Sequence, residues 1–325
     1  MKEFDFELQN KAGIFFKFIQ QILFLLVNVF HSSVIICQFS GYHSFLPVLF
    51  GKLTGKKVYI IAAGTDTVSF PSIGYGNFNK RFLKSFTSWS FQLASRILPK
   101  HQSLWLSDYR YASGNPLEQG IAAFVPNLNV PYTVIPNGYD AEKFYCIDKK
   151  VPRTFLTVTG ALHYPFQKML KGIDLILEVA DLFPECTFTI IGVNDKKTIP
   201  NAPANVVLLP KVEHDELIHQ YSKSQFYLQL SMAEGFPNAL CEAMLCECVP
   251  IGSAVFSIPE IIGSTGFILK ERNIDLLKEV IQKAINSDTE NSGKSARKRI
   301  QEEYPVSKRI VGFQKIFNGD ELLNA

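Results

Sequence analysis

Apolar and polar positions along the chain fall into two successive series of alternating strands and helices. In the first, 13–30 is apolar enough to predict a helix that is buried or lies against a membrane surface. A buried strand is predicted at 33–38, a helix at 42–54 and a strand at 57–62. That strand ends in Ala63-Gly64-Thr65-Asp66, a turn at a carboxyl end, where α/β folds hold ligands. A helix over 78–94, a strand over 96–98, a helix over 101–112 and a strand over 132–136 follow. The second series opens near Arg153. It predicts strands at 155–159, 187–193, 206–209, 225–230, 249–252 and 266–269, with helices at 171–183 and 215–222. The segment 160–170 reads as a loop. A helical turn at 259–262 and polar helices near 274–286 and 292–303 close the series before Tyr304-Pro305 breaks the helix. Strands alternating with helices predict parallel sheets, so the fold class is α/β.

Composition adds limits. The 325 residues suffice for two domains, and 47% hydrophobic with 19% charged residues excludes a disordered chain. Net charge is +3 but uneven: residues 1–125 carry 12 Lys/Arg against 6 Asp/Glu, net +6. A basic, Phe-rich amino half points to an anionic surface, anionic lipid first, with an ordinary basic surface as the alternative. The six cysteines have no zinc spacing and no His partner, which predicts reduced thiols in a cytosolic protein. No secretory signal is visible in the first residues. Residues 18–30 are apolar but only 13 long and broken by Gln20, Gln21 and Asn28, against the roughly 20 needed to cross a bilayer; they are not expected to span one.

The chemistry concentrates in Ser231-Met-Ala-Glu-Gly-Phe-Pro-Asn-Ala-Leu-Cys-Glu-Ala-Met244. Phe226, Leu228 and Leu230 alternate ahead of it as in a strand. Pro237 suits the first turn of a helix, and Leu240, Ala243 and Met244 supply its buried face. The motif is therefore strand, tight turn, helix. The free N–H groups of Asn238, Ala239 and Leu240 at the helix start, with the helix dipole, make an anion site suited to a diphosphate. Glu234 precedes that site and Glu242 follows it, so the two carboxylates are placed to accept hydroxyls at opposite ends of one ligand. A nucleotide-sugar has that layout. On the spacing alone, a solvated helix with two surface glutamates is an equally good reading.

Four separated pieces carry a resemblance: Val134-Ile-Pro-Asn-Gly-Tyr-Asp140 with Phe144; Lys171-Gly-Ile-Asp174; Glu234 to Met244; and Pro259-Glu-Ile-Ile262 with Gly266. In order and spacing, over about residues 33–315, the chain resembles the retaining nucleotide-sugar glycosyltransferases of family 4. That resemblance implies the GT-B fold, two Rossmann-like domains facing a cleft. It implies that Glu234, with backbone N–H groups around Gly235 and Phe236, holds the donor sugar, and that Glu242 takes the ribose hydroxyls. Lys171 would pair with the diphosphate at the helix start formed by Pro237, Asn238, Ala239 and Leu240. The segment 209–212, with Lys211 and Val212, would lie near the base, and Asn137 and Gly138 near the cleft. Lys171 and Glu234 are the catalytic candidates. Retention by front-face departure and attack within one ion pair, or by double displacement with Glu234 as nucleophile, both stay open. With no Asp-x-Asp, neither a metal nor any other cofactor is expected.

The chain also departs from the family. Where the family has Gly-Arg-Leu, this chain has Gly160-Ala161-Leu162, and Lys168 or His163 is the candidate replacement for the arginine. Gly64 and Asp66 stand where many members have a histidine and are the acceptor-side candidates; Asp66 serves equally well as a turn-former. Phe256-Ser257 replaces a Gly-Gly. The amino-terminal region lacks a first strand and Gly-rich loop, as a natural short form or a truncated coding sequence, which would leave a sheet edge exposed. The implied domains are 1–135 on the acceptor side, with 305–325 packing back on it, and 136–304 on the donor side. The expected function is transfer of a hexose from a UDP-sugar to a growing glycan or lipid-linked acceptor in bacterial surface-polysaccharide synthesis. The expected place is the cytoplasm, at the inner face of the membrane with a peripheral contact. No nucleic-acid partner is expected. The alternatives are a catalytically impaired nucleotide-sugar-binding protein, an NAD-dependent oxidoreductase, which the missing Gly-x-Gly-x-x-Gly disfavours, and an integral membrane protein.

Overall fold

The computed structural model describes residues 2–6, 13–160, 162 and 164–318. Among these, 2–6, 13–108 and 115–135 form one compact unit, and 109–114 with 136–318 form a second.

The first unit runs α1 (Ile14–Asn28), β1 (Val34–Gln38), α2 (Tyr42–Thr54), β2 (Lys57–Ala62), α3 (Arg81–Leu93), β3 (Arg96–Pro99), β4 (Ser107–Asp108), β5 (Glu118–Gln119) and α4 (Ile121–Phe124). Its main sheet is parallel in the order β1-β2-β3, with β1 at one edge. Val48, Ile60, Phe91, Ile97 and Ile121 fill its core and are excluded from water. The first helix exceeds the 13-residue stretch read from sequence. Ile14–His31 is continuous over 18 residues at mean hydropathy 1.6, long and apolar enough by length and composition to cross a membrane.

Two predicted elements in this unit are corrected. Residues 101–112 are not a helix: a single 3-10 turn, Gln102–Leu104, gives way to β4, which pairs antiparallel with β5. Trp105 stacks on Tyr132 at 4.0 Å between ring centroids, and its carbonyl accepts Ala122 N–H at 2.9 Å, so the chain turns away instead of continuing a helix. Residues 132–136 make a single bridge to β3 and no strand. Ile97 N–H donates to Pro131 O, Thr133 N–H to Ile97 O and Ile135 N–H to Pro99 O. The next bond of that ladder needs an N–H on residue 99, which is proline.

The second unit runs β6 (Val151–Val158), α5 (Pro165–Lys171), α6 (Ile173–Asp181), β7 (Thr187–Ile191), β8 (Val206–Leu209), α7 (His214–Lys223), β9 (Ser224–Gln229), α8 (Asn238–Leu245), β10 (Val249–Ser253), α9 (Ile258–Ile262), β11 (Phe267–Leu269), α10 (Ile274–Ile285), α11 (Thr289–Glu303) and α12 (Val306–Asn318). All six strands are parallel, in the order β11-β10-β9-β6-β7-β8. The strand order reverses between β6 and β9, and a doubly wound sheet opens a crevice at the carboxyl ends of such a pair. On β9, Tyr227 and Gln229 are as buried as Phe226 and Leu228, because helices cover both faces.

The predicted loop 160–170 is in part α5. Pro165 starts that helix, Gln167 Oε1 accepts Tyr164 N–H at 2.8 Å, and Gly172 in the left-handed region ends it. The predicted helix 171–183 accordingly begins as α6 after the break. Residues 305–318 belong to the second unit. Helix α12 bonds within it: Val306 N–H donates to Tyr139 O at 3.0 Å and Arg309 to Pro136 O at 2.6 Å. All six cysteines are free thiols.

Candidate functional site

Lys171, Glu234 and the start of α8 come together after β9. The chain after β9 is fixed first. Gln229 Nε2 donates to Ser231 Oγ at 2.8 Å, Ser253 Oγ to Ser231 O at 2.6 Å, and Met232 N–H to Leu170 O at 2.8 Å. That last bond joins the end of α5 to the loop after β9. Gly172 makes the junction possible. Its φ is +69°, and a Cβ there would sit 2.2 Å from Leu230 O. Lys171 is delivered to the same point, and its Nζ lies 2.6 Å from Glu234 Oε2. Ser231 Oγ also reaches that oxygen, at 3.4 Å. Lys168 lies three residues earlier on α5, on the same side of the helix as Lys171. Ala161 and His163 lie outside the described residues.

Four residues after Glu234, α8 begins. Pro237 precedes its first turn with extended ψ of 108°, one position earlier than predicted, and no side chain caps the helix. Asn238, Ala239 and Leu240 therefore present the first three N–H groups, with Gly235 and Phe236 buried in the turn before them. Asn137 and Gly138 are brought against this helix start. Asn137 Nδ2 and Tyr139 OH both donate to Asn238 Oδ1, at 2.8 and 2.9 Å. Gly138 is confined by α12: a Cβ would meet Val306 Cα at 2.7 Å.

Glu242 lies one turn into α8 and is partly buried. Tyr221 OH, at the end of α7, donates to its Oε2 at 3.1 Å. Burial pushes the Glu242 carboxyl up from 4.5, opposed by the Tyr221 bond and the nearby His214. Lys211 and Val212 follow β8; Lys211 N–H is held by Asn194 Oδ1 at 3.0 Å and its side chain is exposed. Asp174, within the quoted Lys-Gly-Ile-Asp piece, pairs with Arg272.

Gly64 and Asp66 belong to the first unit. Asp66 helps line a cavity of about 390 Å³ with Phe39, Tyr42, His43 and Leu83. Its carboxylate is fully buried and accepts the N–H groups of Ser40, Ala63 and Gly64 at 2.9–3.1 Å. Those bonds are the ones a turn-former makes, and they direct both oxygens towards the protein's own backbone. Burial raises this carboxyl and the backbone bonds act against the rise.

Ser231 and Tyr139 stand inside the motif pieces without a role of their own, and Tyr221 stands outside them. Tyr221 precedes Glu242 by 21 residues on another helix, and no spacing rule connects them. A buried phenol's need for a partner is the only signal available in advance. Among the described residues, no cluster of three His, Cys, Asp or Glu could hold a metal ion.

Residues 165–303 match the family model of glycosyl transferases group 1. The chain is similar to a phosphatidylinositol N-acetylglucosaminyltransferase subunit of Homo sapiens, 28% identical over 164 residues, covering 47% of this chain and 33% of that protein. It is also similar to trehalose synthase of Thermococcus litoralis, 26% identical over 172 residues, covering 47% of this chain and 42% of the relative. The chain thus spans under half the length of these curated relatives. Among solved structures, sucrose-phosphate synthase from Thermosynechococcus elongatus superposes with a TM-score of 0.72 at 14% identity, covering 96% of this chain and 80% of that one. Anabaena HepE in complex with UDP and glucose gives 0.67 at 13% identity, with 92% and 81% covered. At such identities the likeness bears on fold. The chain has the α/β GT-B fold, and its residues 165–303 match the glycosyl transferases group 1 model.

Proposed function

We propose that the chain is a retaining, family 4 type hexosyltransferase. In this reading it moves a sugar from a nucleotide-sugar, UDP-hexose first, to a growing glycan or lipid-linked acceptor in bacterial surface-polysaccharide synthesis, at the inner face of the cytoplasmic membrane. The observation that carries the reading is the Lys171–Glu234 pair at the β6/β9 crevice, four residues from an uncapped helix start. HepE and the pneumococcal O-GlcNAc transferase GtfA, two structural neighbours, are both seen in complex with UDP.

In this reading each group has a task. A donor diphosphate entering at the start of α8 meets the N–H groups of Asn238, Ala239 and Leu240 and displaces Glu234 from the Lys171 ammonium. Lys171 then faces the phosphate oxygen that gains charge as the sugar departs, where stabilisation lowers the barrier. Glu234, released, accepts hydrogen bonds from the sugar's hydroxyls. Glu242, oriented by Tyr221, accepts those of the ribose. The bond from the anomeric carbon to the phosphate oxygen breaks, and a bond to the acceptor oxygen forms on the same face. Attack on the face the phosphate leaves retains the configuration, and the acceptor's proton passes to the departing phosphate.

The rival reading, a nucleotide-sugar-binding protein without transfer, draws on the three-stranded sheet of the first unit. Incubation of the pure chain with UDP-hexose and an acceptor separates the two. Release of UDP with an anomerically retained product supports the transferase; donor binding with neither transfer nor hydrolysis supports the rival.

A further inference from the structure

Helix α1 is turned inside out for a helix in water. Its polar Gln21 faces the protein, 3% exposed, with Nε2 donating to His43 O at 2.7 Å. Leu25 and Val29, each four residues further on, complete the covered flank. On the opposite flank Phe15, Ile19, Leu23 and Val27 recur every fourth residue, with Phe16 and Phe30 beside them, and all six are 41–68% exposed. A surface helix of a water-soluble protein shows charged residues on that side. A contiguous apolar face of this kind marks contact with a protein or a membrane.

Charge decides between those partners. The described residues of the first unit hold ten Lys/Arg against five carboxylates: Asp66, which is fully buried, Glu3 and Asp5 beside α1, Asp108 and Glu118. Lys52, Lys57, Lys80, Arg81 and Lys84 are all exposed. An excess of exposed cations over carboxylates disfavours a second copy of itself and attracts anionic headgroups. The covered flank fixes the orientation. A spanning helix must cross about 30 Å of hydrocarbon, whereas Gln21, Leu25 and Val29 pack one flank of this helix on its own unit. The other side alone is available, which suits a helix lying in the plane of the interface.

We infer that α1 is an interfacial helix that seats the first unit on an anionic phospholipid surface. The stripe from Phe15 to Val27 enters the acyl boundary, and the surrounding lysines and Arg81 face the lipid phosphates.

The test is co-sedimentation of the purified full chain with vesicles of phosphatidylcholine alone or mixed with phosphatidylglycerol. One variant is Ile19→Ser/Leu23→Ser/Val27→Ser and a second is Lys80→Glu/Arg81→Glu/Lys84→Glu, each checked for an unchanged circular dichroism spectrum and melting midpoint. The wild type is expected to pellet with the anionic vesicles and to be released by alkaline wash. The serine variant should lose at least about tenfold in partitioning, and the glutamate variant should lose the preference for anionic lipid. Three results overturn the inference: a folded serine variant that partitions as the wild type does; a wild type that stays in solution as a dimer that the serine variant lacks; or release only by detergent. The readout is lipid binding, so its failure leaves the donor-site reading untouched.

Discussion

Lys171 Nζ and Glu234 Oε2 are 2.6 Å apart, and their bond ties the last residue of α5 to the loop after β9. Both partners keep some exposure, 31% for the lysine side chain and 19% for the glutamate, so a ligand can reach them. A partly exposed pair of this kind contributes under about 1 kcal/mol to stability. Lys171→Ala and Glu234→Gln are therefore expected to abolish sugar transfer while moving the melting midpoint little. Turnover close to wild type in either folded variant removes that residue from the chemistry.

The Tyr221 hydroxyl orients Glu242 without facing the reacting atoms. Tyr221→Phe keeps the ring, which is fully buried, and deletes only the bond to the carboxylate. The Michaelis constant for the donor should rise by up to about tenfold with kcat little changed, since the bond orients a binding group. A fall in kcat at unchanged KM contradicts the assignment of Glu242 to the ribose.

Glu242 itself carries a pH signature. Its carboxyl is raised above 4.5 by burial. In the folded chain it therefore binds its proton more tightly than in the unfolded chain. Its contribution to stability is fully present below pH 4.5 and is lost as pH rises through the raised value. Glu242→Gln removes the buried charge and keeps an acceptor for Tyr221. That variant should melt higher than the wild type at neutral pH, with the gap closing towards pH 4.5, and should bind donor more weakly. A gap that widens on acidification contradicts the sign.

Gly172 is under steric demand that Gly160 escapes. A Cβ at 172 would meet Leu230 O at 2.2 Å with φ at +69°, whereas one at 160 meets nothing within 4 Å. Gly172→Ala should cost more than about 2 kcal/mol in urea unfolding and weaken donor binding by shifting Lys171; Gly160→Ala should stay within about 0.5 kcal/mol. Equal effects from the two would mean that the α5–β9 junction has room to adjust.

The legible parts of this chain were those with a local physical cause. β9, the turn and α8 announce themselves through alternation, Pro237 and a helical apolar face, and the helix start lies within one residue of its predicted place. The illegible parts depend on partners distant in sequence. Trp105 leaves a helical path because Tyr132 and Ala122 take its ring and carbonyl. Residues 132–136 fail as a strand because of Pro99, some 33 residues earlier in the chain. The Asp66 turn draws one of its three backbone donors, Ser40, from 26 residues away. In α1 the composition was visible, but which flank faces water was not, because Gln21 turns inward only through His43.

The central claim is that the second unit holds a nucleotide-sugar through Lys171, Glu234 and the start of α8. A thermal-shift comparison of the wild type and Lys171→Ala against UDP-, GDP-, ADP- and dTDP-sugars tests it most directly. A ligand at a hundred times its dissociation constant stabilises the folded chain by about 2.7 kcal/mol. UDP-sugar is expected to raise the wild-type midpoint clearly and that of Lys171→Ala little or not at all. No rise with any of the four donors, or the same rise in both proteins, contradicts it.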